Sequence, residues 1–385
     1  MNARIVASPN YSPNSHKFLE LPPEIYELYE NPSQNENAYL YIKGSSKDHA
    51  YLCTRNKTYH VRKQLHSNSL LLLKPAISLE TSTDTNMDME IEQEVRELEI
   101  TDIIHSVYEL ILCIPNLEKL KDLLGTTPYK GPEEEKRYKG EKFYSWEELD
   151  DLLQASEEEI KCALEKHYAL EVDGYWRFVE TQYLYDVLVL ILSAANIENM
   201  SLENMSFSRC AEALADDGIP SFITKHCLTC FADVIDYSNR LDPIVKLSKD
   251  KICSFIGLHL LRTEGKAWIY SDFIANWVIK IPDQWESILS FDLLKGNAIK
   301  EYNQQKECEY IELFAASDLS TDPEKRFREL FTFRSRWTLD DIRPFLDDIV
   351  DDSFQKLEDL LPKYTKQLKD ENGQTLYQLK TTYFQ

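Results

Sequence analysis

Residues 322–333 read DPEKRFRELFTF, and that stretch predicts a helix. A second helix is opened by Trp337 and Thr338, and a third runs from Ser353 to Leu361. Two short β-type runs then flank Asn372-Gly373. Asn-Gly in that setting is a strong hairpin signal, because a two-residue type I′ turn needs positive φ at both positions. Three helices followed by a hairpin is the outline of a winged-helix module, which meets DNA or another protein.

The same outline recurs upstream. Ser145-Trp146-Glu147-Glu148 is a capping box, and Leu149, Leu152 and Leu153 supply the stripe of the helix it opens. Ser156 to Glu159 is a second box, followed by Ile160, Ala163, Leu164 and His167 at helical spacing. ALEV, Asp173-Gly174 and YWRFV complete a hairpin. SWEELDDLL at 145–153 is echoed by RWTLDDIRPFL at 336–346. Between them lie FSRCAEALADDGIPSFITKHCLTCF (207–231) followed by IVKLS, and IYSDFIANWVIKIPDQWESILSF (269–291) followed by LLKGNAIKEY and ECEYIELF. Entry points near 146, 207, 270 and 337 predict a tandem array of winged-helix-like units.

The N-terminal part has another rhythm. Residues 1–17 are polar and predict a flexible N-terminus; EIYELYE after Pro22-Pro23 predicts a short helix. Four β-type runs, AYLYIKG, HAYLC, KTYHVRK and SNSLLLLKP, are separated by Gly44-Ser45-Ser46, Arg55-Asn56 and His66-Ser67. They predict a small meander whose open edges are templates for pairing with another chain. The alternative is an ordinary small β domain packed on the helical part. Residues 80–102 are acidic, with Arg96 the only basic residue, and predict a solvated linker in which VRELEI starts the next element. A second hinge-like stretch covers 125–142.

The expected fold class is α+β: a small N-terminal β meander or barrel half, then a tandem array of winged-helix domains. The expected boundaries are 1–17 (flexible), 18–79 (β domain), 80–102 (acidic linker), 103–180 (helical segment and first winged helix), 181–316 (middle winged-helix region of one or two units) and 317–385 (C-terminal winged helix).

Composition narrows the function. A net charge of −23 argues against a chain that binds nucleic acid with its whole surface. Residues 322–385 hold 11 Lys/Arg against 13 Asp/Glu, a net of −2, leaving −21 on the rest. The apolar fraction of 43% excludes a wholly disordered chain. Neither a secretory leader nor a membrane-spanning run is legible, so the expectation is a soluble, intracellular protein. The eight cysteines are expected as reduced thiols in apolar positions.

No phosphate-cradling loop is present: Gly265-Lys266 lacks the upstream glycine and the following Ser/Thr. Ten glycines also argue against a dinucleotide fold, and no nucleophile elbow, HExxH or EF-hand loop is found. Cys227 and Cys230 have metal-ligand spacing, but no second pair accompanies them and the context is helical and apolar. Buried thiols are the plain reading, a thiol- or metal-dependent enzyme the distant one. Asp340-Asp341 and Asp351-Asp352 fit helix N-terminal electrostatics better than acid–base work. Neither an enzyme activity nor a cofactor is expected.

The positive signal is basic. Lys325, Arg326, Arg328, Arg334 and Arg336 flank the first helix of the tail, Lys356, Lys363, Lys366 and Lys369 follow along the third helix and wing, and Lys380 ends the series. Phe331, Phe333, Trp337 and Tyr364 are interleaved, mostly as core. In a winged helix these positions face a DNA groove and its phosphates, so a weak, phosphate-directed contact is expected. The alternative is a set of solvated faces offset by the surrounding acids.

FLELPPEIYELYE, YIKG, AYLCTRNKTYHVRK and HSNSLLLLKP resemble the N-terminal signature of the fungal "defective in sister chromatid cohesion" protein family. Its most specific pieces are Leu52-Cys53-Thr54, Lys57-Thr58-Tyr59 and Ser67 to Leu72. That family is the accessory subunit of the alternative, chromosome-transmission-fidelity type replication factor C clamp loader. The resemblance implies a nuclear, non-catalytic subunit whose β domain shares a barrel with a small β partner subunit and the large ATPase subunit. Leu52, Thr54, Tyr59, Val61, Leu70, Leu71 and Leu72 become candidate partner-binding residues. It also implies that the winged helices tether the loader to the catalytic subunit of DNA polymerase epsilon and to DNA, single- or double-stranded and with weak sequence preference. Loading and unloading of proliferating cell nuclear antigen, DNA replication and sister chromatid cohesion follow as the supported processes. Members are usually described with three winged helices, whereas four intervals are counted here. The competing assignment is a winged-helix scaffold of a transcription or ubiquitin-ligase assembly.

Overall fold

Two long runs of β-type residues, Thr58–Pro75 and Arg96–Cys113, form the spine of the N-terminal part. A computed structural model describes residues 3–7, 15–30, 39–46, 48–75, 96–239, 242–350, 356–370 and 373–380. The chain divides into two units, Met1–Pro115 with Gln154–Glu159, and Asn116–Leu153 with Ile160–Gln385. Most of the expected linker (80–95), Asp351-Asp352, the expected helix start at Ser353 and Asn372 lie outside the described residues. Among the described residues no helix is long and apolar enough to cross a membrane.

The first unit contains β1 (Ala3–Ala7), β2 (Phe18–Glu20), α1 (Pro23–Glu30), β3 (Tyr41–Lys43), β4 (Tyr51–Cys53), β5 (Thr58–Pro75) and β6 (Arg96–Cys113). They make one open mixed sheet in the order β1-β6-β5-β4-β3, with β2 also on β6. Among the described residues it does not close into a barrel. β5 and β6 are antiparallel from Thr58↔Cys113 to Pro75↔Leu98, while β1 and β2 run parallel to β6 on its far edge. α1 sets Ile25 against Leu52 and Tyr59, with Leu21, Val61, Leu110 and Leu112 around them.

Two expectations are corrected here. His66-Ser67 is not a turn: β5 runs through it, and the register moves from Leu65↔Ser106 to Leu70↔Ile104. Extra residues on one strand are absorbed as an irregularity when neither Gly nor Pro forces a reversal. Residues 96–102 are not linker, nor does a helical segment begin at 103, since both stretches belong to β6. Leu98 and Ile100 alternate with Glu97 and Glu99, and β-branched Ile103, Ile104, Val107 and Ile111 follow, so pairing with β5 prevails over charge.

The second unit repeats one order of elements four times: helix, short strand, two helices or turns, hairpin. The first set is α2 (Glu118–Gly125), Tyr144, α3 (Trp146–Leu152), α4 (Glu157–Lys166, its first turn counted with the first unit), β7 (Ala169–Val172) and β8 (Tyr175–Phe178). The second is α5 (Thr181–Ile197), β9 (Met205–Ser206), α6 (Phe207–Ala213), α7 (Ser221–Cys230), β10 (Ala232–Asp236) and β11 (Ile244–Leu247). The third is α8 (Lys249–Glu264), β12 (Trp268–Ile269), α9 (Tyr270–Ile279), 3-10 turns at Asp283–Ile288 and Phe291–Leu294, β13 (Ala298–Asn303) and β14 (Cys308–Leu313). The fourth is α10 (Pro323–Phe333), Trp337, α11 (Leu339–Ile342) with two 3-10 turns after it, α12 (Leu357–Tyr364), β15 (Thr365–Lys369) and β16 (Thr375–Leu379).

In every set the short strand pairs antiparallel with the later hairpin strand: Tyr144↔Trp176, β9 with β11, β12 with β14, and Trp337↔Tyr377. Local chemistry fixes the entries. The Ser145 hydroxyl accepts from Glu148 N–H at 3.3 Å while Ser145 N–H donates to Glu148 Oε2 at 3.1 Å. Ser206, Ser248, Asp322 and Thr338 cap further helices by accepting a single N–H from the first turn. Asp173 and Gly174 have φ of 53° and 85°, as a type I′ turn demands.

One apolar core runs through the first three sets. Leu184, Val187, Leu188 and Ile191 of α5 meet Phe207, Cys210, Ile223, Cys227 and Leu228, and beyond them Ile252, Ile256, Phe273 and Trp277. Trp277 donates its indole N–H to the Cys253 carbonyl at 2.9 Å. α8 passes so close that a β-carbon on Gly257 would lie 2.8 Å from the Trp277 ring.

Candidate partner and nucleic-acid interfaces

The first unit leaves much apolar surface outside. Tyr39, Leu40, Tyr41 and Ile42 are all exposed, Ile42 at 73%, and among the described residues β3 is an edge strand paired only with β4. Leu65 (77%), Leu70 and Leu71 are exposed on β5. An exposed apolar edge of this kind is ordinarily charged, bulged or covered. Leu70 and Leu71 thus stand where a partner could reach them, with Val61 and Leu72 half-buried.

Leu52, Thr54 and Tyr59 are buried instead. Leu52 and Tyr59 are register partners on the face covered by α1, so they support the sheet rather than meet a partner. Thr54 locks its own turn by accepting the Lys57 N–H at 3.0 Å. Burial, then the nearby Glu24 carboxylate, pushes the Tyr59 phenol up well above its ordinary range.

On β5, the Thr58 hydroxyl donates to Glu159 Oε2 at 2.5 Å and accepts the Ser156 N–H at 2.9 Å. Ser156 N–H also reaches Glu159 Oε2 at 3.0 Å, completing the box expected there. Lys43 donates to the Ala155 carbonyl at 2.9 Å, and Arg55 pairs with Glu158 at 3.2 Å.

The basic residues of the tail separate into two groups. Arg326 is fully buried: it grips both Asp348 oxygens at 3.0 and 2.9 Å and donates to the Phe345 carbonyl at 2.7 Å and the Ser320 carbonyl at 2.6 Å. It holds α10 to the turns after α11 and is not available to DNA. Arg334 is half-buried, 3.2 Å from Asp341, 3.6 Å from Glu301 and over the Trp337 ring. Lys380 donates to the Pro362 carbonyl, and Arg328 pairs with Glu324.

Lys325, Arg336, Lys356, Lys366 and Lys369 are exposed, as is Lys363, which lies over the Tyr364 ring. Lys366 is on the outer face of the hairpin, opposite the face that buries Tyr377. α12 itself exposes Glu358 and Asp359 in its first turn. The exposed cations around α12 therefore lie at its two ends and on the hairpin after it, with acids in the first turn of the helix. Phe331, Trp337 and Tyr364 are core, while Phe333 is partly exposed against Phe314.

Cys227 is sealed in α7 and Cys230 partly so. Burial drives the Cys227 thiol far up and pushes the Cys230 thiol to about 12. Cys230 Sγ lies 3.4 Å from His226 Nε2, itself 3.1 Å from the Tyr168 carbonyl. Thiols held protonated in this way are poor nucleophiles. Among the described residues no three His, Cys, Asp or Glu side chains converge as metal ligands.

Compared with known protein families, residues 16–346 match the model described as "Sister chromatid cohesion protein Dcc1". The chain belongs to the Dcc1 family. The Mus musculus "Sister chromatid cohesion protein DCC1" is 31% identical over 337 residues, covering 87% of this chain and 81% of that protein. The Homo sapiens protein of the same name is 30% identical over 360 residues, covering 93% and 87%. The Saccharomyces cerevisiae one is 23% identical over 398 residues, covering 95% and 97%. The Dcc1 match spans both units and all but the end of the fourth repeat, leaving β1, α12 and the last hairpin outside it.

Proposed function

We propose that this chain is the non-catalytic accessory subunit of an alternative replication factor C clamp loader in the nucleus. The exposed sheet of its first unit takes up a small β partner subunit and the large ATPase subunit. The repeats of its second unit are winged helices that dock the loader on DNA polymerase epsilon and DNA. Sliding-clamp loading and unloading, replication and sister chromatid cohesion depend on that tether. Membership of the Dcc1 family supports the cohesion role.

The observation that carries the adaptor role is the surface at Tyr39–Ile42 and Leu65–Leu71, a large apolar area on a sheet with an open edge. A chain that kept this surface in solution would risk edge-to-edge association. DNA contact is assigned to Lys325, Arg336, Lys356, Lys363, Lys366 and Lys369, with Arg328 and Lys380 beside them, in a phosphate-directed mode. The fully buried Arg326 and the engaged Arg334 drop out of that set. The test is a co-purification from cells of the full chain carrying Tyr41→Asp and Ile42→Asp. Both side chains are exposed, so folding is retained while the small β subunit is lost; full recovery of that subunit would overturn the assignment.

A further inference from the structure

The outer edge of β6 is occupied by the chain's own N-terminus. β1 pairs with Arg96–Ile100 and β2 with Val107–Glu109, both in parallel. None of the described side chains in residues 4–7 and 15–20 is buried: Ile5, Phe18 and Leu19 are exposed, and Arg4 meets Glu97 at 3.2 Å in a solvent-exposed pair. Strands held this way contribute backbone hydrogen bonds and almost no apolar burial, the signature of a segment that opens at low cost.

Among the described residues, one buried side chain fastens them. Asp102 is fully enclosed, at the register shift where β6 gains a residue between Leu72↔Asp102 and Leu73↔Ile100. Such an irregularity re-aims a side chain, and here the carboxylate turns to the N-terminal segment. Asp102 Oδ2 accepts from His16 N–H at 2.8 Å and from the Ser15 hydroxyl at 3.1 Å, and the His16 ring lies 3.5 Å away. Its Oδ1 accepts from Ile103 N–H at 2.9 Å. Hydrogen bonds to an ionised acceptor are the strong kind. The latch therefore sits at one point between two weakly held strands.

We propose that β1 and β2 form a displaceable strap, latched by Asp102, which covers the β6 edge until a strand from a partner subunit replaces it. This inference rests on the partner role proposed above and adds its regulation: the edge is self-capped in the free chain and opened for assembly. The strap's own pairing is short and parallel, so a longer antiparallel strand from the partner would outcompete it for the edge.

Hydrogen exchange on the free full chain tests the latch. In Asp102→Ala, and in Ser15→Ala/His16→Pro, which leaves β6 untouched and removes both the Ser15 hydroxyl and the His16 backbone N–H, strap amides and outward β6 amides exchange about tenfold faster or more, as expected when charge-assisted bonds are removed. Amides between β5 and β6 keep their rates. Unchanged strap exchange, or acceleration of the whole sheet, overturns the latch. Displacement is tested with Ile5→Cys/Leu98→Cys, register partners that a disulfide would join. The oxidised chain binds the purified small β subunit about tenfold more weakly than the same chain after reduction. Equal affinity overturns displacement. If the wild-type chain does not bind that subunit, the partner role fails and displacement with it, while the exchange result on the latch stands by itself.

Discussion

The two units solve burial in opposite ways. The second carries a continuous core from Tyr129 to Ile311, with whole helix faces sealed. The first has a cluster centred on Ile25, Leu52 and Tyr59 beneath a six-stranded sheet. Yet 13 of the 24 exposed large apolar side chains among the described residues belong to the first unit, although the second is more than twice as long. A small sheet with few buried side chains cannot offset the entropy of ordering long strands by itself. The second unit seals its own core, whereas the first leaves much of its apolar surface exposed.

If the second unit is self-sufficient, damage inside it is expensive. Trp277→Ala should cost about 3–5 kcal/mol, measured by denaturant unfolding, because it empties a filled site and orphans the Cys253 carbonyl. Gly257→Val should cost about 1–3 kcal/mol through overpacking against the same ring. A loss below that range would mean the core is looser than its close approach implies.

Arg326→Ala sharpens the comparison within the tail. It should destabilise the fourth repeat by about 3 kcal/mol by stranding Asp348 and three carbonyls. Lys356→Ala, Lys363→Ala and Lys366→Ala together should leave unfolding within about 0.5 kcal/mol. The triple variant should also lower the slope of log K against log salt for DNA by about 3. A DNA defect without a stability loss in Arg326→Ala would contradict its buried role.

His167 gives the second unit a pH dependence. Burial first, then Lys121 and Lys166, lowers its imidazole from 6.5 to about 4. The unfolded chain then binds the extra proton first, so stability present above pH 6.5 is lost as pH falls toward 4. His167→Gln should flatten that part of the profile in thermal unfolding, and an unchanged profile would assign the loss elsewhere. The smallest effect is expected on the first unit. Leu65→Ser and Leu70→Ser should shift the free chain's unfolding by about 0.5 kcal/mol or less while reducing recovery of the small β subunit.

Much of the second unit was legible from sequence because its signals are local. Ser145 with Glu148, Asp173-Gly174 and Thr338 each act within a few residues, and the repeat of such starts marks the four sets. The first unit was less legible. The strap at β1 and β2 and the strand status of 96–113 depend on pairing across distant segments, and Glu97, Glu99 and Glu109 disguise a strand as a linker. Arg326 looks like any other cation of the tail, since its partners come from Ser320 and from turns beyond α11. Leu52 and Tyr59 carry the right residue types for an interface, but α1 covers their face.

Hydrogen exchange of the full chain, alone and then co-purified with the small β subunit, tests the central claim most directly. The account predicts that amides of β3, β4 and the Leu65–Leu72 part of β5 exchange fast in the free chain and slow by about a hundredfold in the complex, while α5 and α8 stay protected in both. A first unit as protected as α5 when free, and unchanged on assembly, would contradict it.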